Sequence, residues 1–245
     1  MAELQRQYLK AMGIDVWQRR DLPVVEVPQS QPVTVPQVSE SAAIIANSEP
    51  STAPTADVST MEWGALQRAV STCERCSLHS TRTQTVFGVG DKQASLMIIG
   101  EAPGGDEDRQ GEPFVGRAGQ LLNEMLRAIG FKRDQVYIAN ILKCRPPHNR
   151  DPKVDEVNCC DPYLKRQITL VQPAAVLAVG RIAAQNLLKS SERIGVLRGR
   201  EHQLPGTKIP LIATYHPAYL LRSPIEKRKA WQDLQQVHAL ITDKI

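Results

Sequence analysis

The chain has 245 residues with a net charge of +4, and its 42% hydrophobic content excludes a collagen, a coiled coil and a wholly disordered protein. Its longest apolar runs, such as residues 174–179, are far shorter than the roughly 20 residues that span a bilayer, which excludes a membrane-spanning protein. Residues 1–20 lack the apolar core of a secretory signal, so we expect a cytoplasmic protein of the bacterial cytosol.

The charges are unevenly distributed along the chain. Residues 21–62 carry six acidic residues and no Lys or Arg. Residues 63–245 carry 26 basic and 18 acidic residues, a net charge of +8. A basic domain suits a polyanionic partner, although a solvated basic surface explains this charge equally well.

The first elements lie outside the globular part. We predict that residues 1–22 form an amphipathic peptide, because Leu4, Tyr8 and Met12 follow one another at helical spacing. Residues 23–60 contain six Pro and no aromatic residue, which predicts a disordered linker. From there the pattern becomes globular, and we expect one folded domain over residues 61–245.

Within this domain, β-rich runs alternate with segments of helical periodicity. We predict strands at 95–99, 136–139, 174–179 and 210–214, and helices at 121–129, 154–171, 182–188 and 226–242. This alternation predicts an α/β protein: a three-layer α/β/α sandwich around a central, mostly parallel, four-stranded sheet. Ligands of such sheets bind beyond the carboxyl ends of the strands. Glu101, Asn140 and His216 follow three of the predicted strands at those ends.

The five cysteines carry the first chemical signal. Cys73 and Cys76 form a Cys-x-x-Cys pair, Cys144 follows, and Cys159 and Cys160 are adjacent. An odd number of cysteines in a chain without an export signal argues against a disulfide framework. Four thiolates suit either Zn²⁺ or an iron–sulfur cluster and leave Cys159 spare, while buried free thiols are the alternative.

A Gly-rich, acidic segment follows the first predicted strand; residues 100–122 are GEAPGGDEDRQGEPFVGRAGQLL. It lacks the GxxxxGK[ST] pattern, so a Walker nucleotide site is not indicated. Its carboxylates at 101, 106, 107 and 108 would repel a phosphate. A buried carboxylate near Phe114 suits a flat, uncharged heterocycle, although an acidic solvated turn would have the same composition.

Two further polar residues follow strands. Asn140 can offer both a donor and an acceptor to the edge of a base, the alternative being a turn or capping role. His216 lies in the segment TYHPAYLLR, residues 214–222, and is either a catalytic imidazole or a hydrogen-bonded structural histidine.

These segments together resemble one family. Residues 100–122, residues 137–152 (YIANILKCRPPHNRDP), the CxPYL at Cys160 and TYHPAYLLR are similar to the family 4 uracil-DNA glycosylases, which carry an iron–sulfur cluster. The resemblance covers about residues 63–245. It implies an enzyme that flips uracil out of single- or double-stranded DNA and hydrolyses its N-glycosidic bond, leaving an abasic site. It also implies a structural [4Fe–4S] cluster on Cys73, Cys76, Cys144 and Cys160.

The resemblance implies a role for each residue that would contact uracil. Phe114 would stack on the flipped base, and Asn140 would pair with its N3–H and O4 edge. Glu107 would crowd the C5 position and exclude the thymine methyl. His216 would face O2 of the leaving uracil. Together these roles would select uracil over cytosine and thymine.

The resemblance also implies which residues would position the attacking water and contact the DNA. In family 1 enzymes the corresponding loop is Gly-Gln-Asp-Pro-Tyr and its Asp positions the water, whereas this chain has Ala102 at that position, as family 4 does. We favour Glu101 as the residue that positions the water. Leu220 would wedge into the gap in the duplex, and Arg222 would hold a phosphate. No covalent Lys intermediate is needed, so we expect no strand cleavage.

Two other functions stay open at this point: an iron–sulfur DNA-binding module without catalysis, and a small-molecule enzyme. Residues 1–22 resemble the N-terminal peptide by which the psi subunit of the DNA polymerase III clamp loader binds the chi subunit. The alternative is that this peptide folds back onto its own domain. We expect a monomer.

Overall fold

The computed structural model describes residues 57–242, so the predictions for residues 1–22 and for most of the linker lie outside the described residues. Within 57–242, no helix is both long enough and apolar enough to cross a membrane.

A twisted sheet of six strands forms the centre of this part of the chain, in the order β1-β3-β2-β4-β6-β5. The strands are β1 (Val89–Gly90), β2 (Leu96–Gly100), β3 (Tyr137–Asn140), β4 (Ala175–Val179), β5 (Glu201–Gln203) and β6 (Pro210–Thr214). The four central strands are parallel, as predicted, while β1 and β5 add antiparallel edges. The predicted count of four strands is therefore wrong, because β1 has only two residues and β5 consists of three polar residues, so neither produces a strand pattern.

The central strands are buried along their whole length, which is why they are continuous apolar runs. Side chains alternate between the two faces of the sheet. In β2, Met97 and Ile99 pack on one face, and Leu96 and Ile98 pack on the other. Both faces therefore need a covering layer of helices.

Eight α-helices surround the sheet in the described part of the chain: α1 (Trp63–Ser71), α2 (Gly105–Gln110), α3 (Arg117–Ala128), α4 (Val154–Val171), α5 (Arg181–Leu188), α6 (Ile194–Leu197), α7 (Pro217–Arg222) and α8 (Lys227–Thr242). On one face, α4 and α5 contribute Leu164 and Leu187 to the core. On the other face, α3 and α8 contribute Leu126 and Val237. The three-layer α/β/α sandwich is confirmed.

The start of the described chain packs against α4. The Arg166 side chain donates a hydrogen bond to the Met61 carbonyl over 2.6 Å, and Val58 packs beside Met61 against a small core that includes Leu66. Val58, which the sequence assigns to the linker, thus contacts the folded domain.

Candidate active site

The carboxyl ends of β2, β3 and β6 open into one cleft with a volume of about 940 Å³. As predicted from the strand ends, Glu101, Asn140 and His216 all line it. The other predicted residues that line the cleft are Ala102, Glu107, Phe114 and Arg222. Residues far apart in sequence therefore converge because parallel strands end at the same edge of the sheet.

Gly100, the last residue of β2, allows an aromatic ring and an amide to lie against the strand end. A Cβ at this position would lie 2.6 Å from Cζ of Phe114 and would overlap Oδ1 of Asn140. The ring and the amide are thus packed side by side on the same backbone. This juxtaposition suits a flat heterocycle that stacks on the ring while its edge meets the amide.

Asn140 carries an unpaired acceptor. Its side chain is 2% exposed, and its Oδ1 has no hydrogen-bond partner within the described residues. A buried polar atom without a partner costs free energy, so such atoms are rare in native proteins and are concentrated at functional sites. An N–H donor on a ligand in the cleft would satisfy this oxygen.

The backbone of Phe114 adopts a left-handed conformation, with φ of 54°, which is unfavourable for a side chain of this size. Arg133 holds the loop that carries Phe114, since its guanidinium donates to the Pro113 carbonyl over 2.5 Å and to the Phe114 carbonyl over 3.3 Å. Gly119 lies directly under the same carbonyl, where a Cβ would overlap it. The ring orientation is therefore imposed by the surrounding structure.

Glu107 fixes the other side of this loop. One carboxylate oxygen accepts hydrogen bonds from the N–H groups of Val115 and Gly116, over 3.0 and 3.3 Å. The other oxygen accepts from the N–H of Gly104 over 3.1 Å. Three backbone donors thus hold the carboxylate in one place in the cleft wall.

His216 is a neutral imidazole at neutral pH. Burial and, secondly, the charge of Arg222 lower its pKa to about 4, while Glu107 opposes this shift. The Ala218 N–H donates to Nδ1 over 3.2 Å, so the single proton of the neutral ring lies on Nε2. The ring lies 5.7 Å from that of Phe114, with an interplanar angle of 27°. His216 can therefore offer one N–H donor beside the stacking ring.

Glu101 titrates near neutrality. Burial and, secondly, the charge of Asp151 raise its pKa to about 7, and Arg181 partly counteracts this. Arg181 is itself paired with Asp151 over 2.7 Å at the start of α5. A carboxyl group with such a pKa can accept a proton from water at physiological pH.

The structure corrects the role predicted for Leu220. Its side chain is 1% exposed and packs in the core with Phe114, so it is not available to enter a DNA duplex. The exposed apolar side chain of α7 is Leu221, at 39% exposure. Arg222, the last residue of α7, lines the cleft and forms no ion pair within residues 57–242.

The four predicted cluster ligands lie in one neighbourhood. Burial raises the pKa of the Cys76, Cys144 and Cys160 thiols, the last to about 12, and the neighbouring cysteines raise each further. Cys73 is among the thiols that act on Cys76 and Cys144, and so belongs to the same group. Within residues 57–242, no three His, Cys, Asp or Glu side chains are arranged to hold a metal ion as they stand.

Two basic side chains lie beside these thiols. Arg82 donates to Sγ of Cys144 over 3.1 Å. Lys143, only 1% exposed, lies close to both Cys144 and Cys160 and donates to the Asn140 carbonyl over 2.9 Å. A buried lysine thus connects the cysteine group with the backbone of the cleft residue Asn140.

Cys159, the predicted spare cysteine, lies near Cys76, and its thiol donates to the Arg75 carbonyl over 3.1 Å.

Sequence reasoning missed Gly100, Arg133 and Lys143. Gly100 ends an apolar strand directly before Glu101, and that position is a usable signal for close packing at a strand end. Arg133 and Lys143 carry no such signal, because the tertiary fold sets the partners of Arg133 and the burial of Lys143.

Comparison with known proteins agrees with this geometry. Residues 87–235 match the family model of the uracil DNA glycosylase superfamily. The chain is 43% identical to the type-4 uracil-DNA glycosylase of Archaeoglobus fulgidus over 72% of this chain and 92% of that protein. It is 41% identical to the type-4 enzyme of Pyrobaculum aerophilum (71% and 92%) and 39% identical to that of Sulfurisphaera tokodaii (73% and 85%). The chain belongs to the uracil-DNA glycosylase superfamily and is similar to its type-4 members.

Proposed function

We propose that this protein removes uracil from DNA by hydrolysing the N-glycosidic bond and leaves an abasic site. The observation that carries the proposal is the buried, unpaired Oδ1 of Asn140 in a cleft whose wall includes the Phe114 ring. Uracil has an N–H between two carbonyl groups, and this N–H would satisfy the oxygen. The type-4 relatives are named for the same activity.

The substrate base must leave the duplex to reach the cleft, which costs a few kcal/mol of lost pairing and stacking. Phe114 offsets part of this cost by stacking on the flipped ring. Asn140 selects a base with an N–H at position 3 and so disfavours cytosine. The carboxylate of Glu107, fixed by three backbone donors, forms a rigid wall against the methyl group of thymine.

The chemical step breaks the bond between uracil N1 and the sugar C1′, and a bond from water oxygen to C1′ forms. Negative charge develops on the leaving uracil, and Nε2–H of His216 donates to its O2. Glu101 accepts the proton of the attacking water, and Ala102 beside it carries no side chain that could do so.

We further propose that Cys73, Cys76, Cys144 and Cys160 hold a [4Fe–4S] cluster. The residues fit such a group chemically, since four sulfur donors in one neighbourhood prefer iron–sulfur clusters or Zn²⁺, and Arg82 and Lys143 would balance the thiolate charge. When bound, the cluster would supply a structural cross-link between the chain segments that carry these cysteines.

The activity is tested by incubating the protein with a uracil-containing oligonucleotide and detecting abasic sites by alkaline cleavage. We expect the wild-type protein to produce abasic sites. Asn140→Ala should lower kcat/KM by about 100-fold. The variant can no longer pair with the polar edge of uracil, so the site loses both its selectivity for the base and the orientation of the base. Asn158→Ala, an exposed asparagine on α4, is the matched control and should be unchanged. Full activity of Asn140→Ala would contradict the role of Asn140.

For residues 1–22 we propose binding to the chi subunit of the clamp loader. The supporting observation is the pattern of Ile14, Trp17 and neighbouring arginines, an anchor set typical of a helix that docks into a groove. The linker would then tether a monomeric enzyme to replicating DNA in the cytosol. A pull-down of residues 1–25 with chi tests this, and equal binding by a Trp17→Ala peptide would reject it.

A further inference from the structure

The cleft extends well beyond the uracil site. Its volume of about 940 Å³ lies at the upper end of the range for pockets that enclose drug-sized ligands, whereas uracil is a single six-membered ring. The residues assigned to uracil account for only some of its lining. The rest includes Ile182, Arg193, Ile194, Tyr215 and Tyr219, which we call the aromatic wall.

The aromatic wall is preformed. The rings of Tyr215 and Tyr219 pack with centroids 5.1 Å apart and an interplanar angle of 44°. The guanidinium of Arg198 lies 5.8 Å from the ring centroid of Tyr215 on the side of α8. The backbone N–H of Tyr219 donates to the carbonyl of His216 over 2.8 Å, which ties the wall to the uracil site. A ligand would therefore meet fixed rings rather than mobile side chains.

Charged side chains of both signs line the cleft. Within the described residues, its carboxylates are Glu101 and Glu107, and its arginines are Arg150, Arg181, Arg193 and Arg222. Arg150 is paired with Glu156 and Arg181 with Asp151. Arg193 and Arg222 form no ion pair within residues 57–242. Aromatic faces beside unpaired arginines are the features with which proteins bind bases and phosphates of single strands.

We propose that the aromatic wall is a second base subsite, which stacks the nucleobase next to uracil in the same strand on Tyr219 while Arg193 contacts the phosphate beside it. This inference rests on the proposed glycosylase function and deepens it. Stacking tolerates every base, so the subsite recognises the presence of a neighbouring base rather than its identity. It gives the enzyme a contact with unpaired DNA in addition to the uracil itself.

The test uses three single-stranded oligonucleotides that carry one uracil each. In the first, both neighbours are normal thymidines. In the second and third, a tetrahydrofuran residue, which lacks a base, replaces the 5′ or the 3′ neighbour. Uracil release is measured with the full-length wild-type protein and with Tyr219→Ala, Tyr219→Phe and Trp231→Ala, and kcat and KM are determined separately.

We expect the wild-type protein to lose about tenfold in kcat/KM, mostly through KM, when one particular neighbour lacks its base, and little when the other does. Tyr219→Ala should release uracil at the same low rate from the normal and the base-less substrate, because the ring on which the neighbouring base stacks is absent. Tyr219→Phe should restore the difference, since it keeps the ring. Trp231→Ala removes an exposed aromatic side chain that does not line the cleft and should behave as wild type.

Equal wild-type rates on all three substrates would overturn the subsite, as would a neighbour effect that persists in Tyr219→Ala. If Tyr219→Ala does not fold by circular dichroism, Ile194→Ser gives the second measurement and should reduce the same difference. A wild-type protein that releases no uracil from any substrate would instead refute the proposed function.

Discussion

At the residue scale, the protonation of Glu101 and His216 decides what the cleft can do. His216 stays neutral because burial and Arg222 lower its pKa to about 4, so in the proposed reaction it would act as a hydrogen-bond donor and not as a cation. The pKa of Glu101 shifts in the opposite direction, since burial and Asp151 raise it to about 7. These shifts in opposite directions fit the separate roles proposed for the two groups, His216 as the donor and Glu101 as the base.

The pH dependence of the reaction follows from Glu101. In the proposed reaction its carboxylate form accepts the proton of water, so kcat should rise with pH through about 7 and should fall as the group is protonated below that value. Glu101→Gln should lower kcat by about 100-fold or more and abolish this rise, because a well-placed base contributes about 10²- to 10⁴-fold. The measurement is single-turnover uracil release across the pH range.

The control for this profile is Glu124→Gln, which alters an exposed glutamate paired with Arg127 on α3. It should keep the wild-type pH profile. A wild-type rate that does not change with pH, or a Glu101→Gln variant that keeps the rise, would remove Glu101 from the role of base.

At the scale of elements, α8 holds the end of β6 through a buried carboxylate, that of Asp233. Asp233 of α8 is fully buried and accepts hydrogen bonds from the Arg198 guanidinium, from the Gly199 N–H and from the Thr214 hydroxyl. Thr214 is the last residue of β6 and lies two residues before His216. The helix thus fixes the strand end from which the loop that carries His216 departs.

Asp233→Ala should therefore destabilise the fold by roughly 3–5 kcal/mol, because it leaves the charge of Arg198 without its partner in a mostly buried position. The measurement is urea unfolding of the full chain. Glu192→Ala breaks an exposed pair with Arg200 and should change stability by less than about 1 kcal/mol. Similar stability losses in the two variants would contradict the structural importance assigned to Asp233.

The predicted elements are accurate where periodicity is strong. The helix at 154–171 and the strand at 210–214 have the predicted bounds. The helix predicted at 121–129 begins at Arg117 instead, because Gly116 takes the extended N-cap conformation and the first turn is not apolar. The short helix α7 was missed, since Pro217 at its first turn gives a start signal but its six residues are too few to establish a period.

At the scale of the whole molecule, the cysteines connect segments that are distant in sequence. Cys73 and Cys76 follow α1, Cys144 follows β3, and Cys160 lies on α4. The cluster that we propose would join all three, close to the cleft through Lys143 and Asn140. Loss of one ligand should therefore affect folding stability as well as the bound iron.

Protein purified without oxygen should contain about four iron atoms per chain and absorb broadly near roughly 400 nm. Cys144→Ser and Cys160→Ser should lose iron, this absorbance and thermal stability. Cys159→Ser should keep all three, although its thiol lies near Cys76. Iron analysis, visible spectra and thermal unfolding measure these outcomes without reference to activity. Zinc in place of iron, or loss of the colour in Cys159→Ser, would contradict the proposed ligand set.

The sequence by itself determined which residues converge on the site. Motifs at strand ends place Glu101, Asn140 and His216 together, since parallel strands share one carboxyl edge, and the apolar runs determine a sheet buried on both faces. The tertiary structure alone decided which way the neighbouring side chains point. Successive residues of a helix point in directions about 100° apart, so Leu220 enters the core while Leu221 is exposed. Burial and neighbouring charges, which no local pattern encodes, set the protonation of Glu101 and His216.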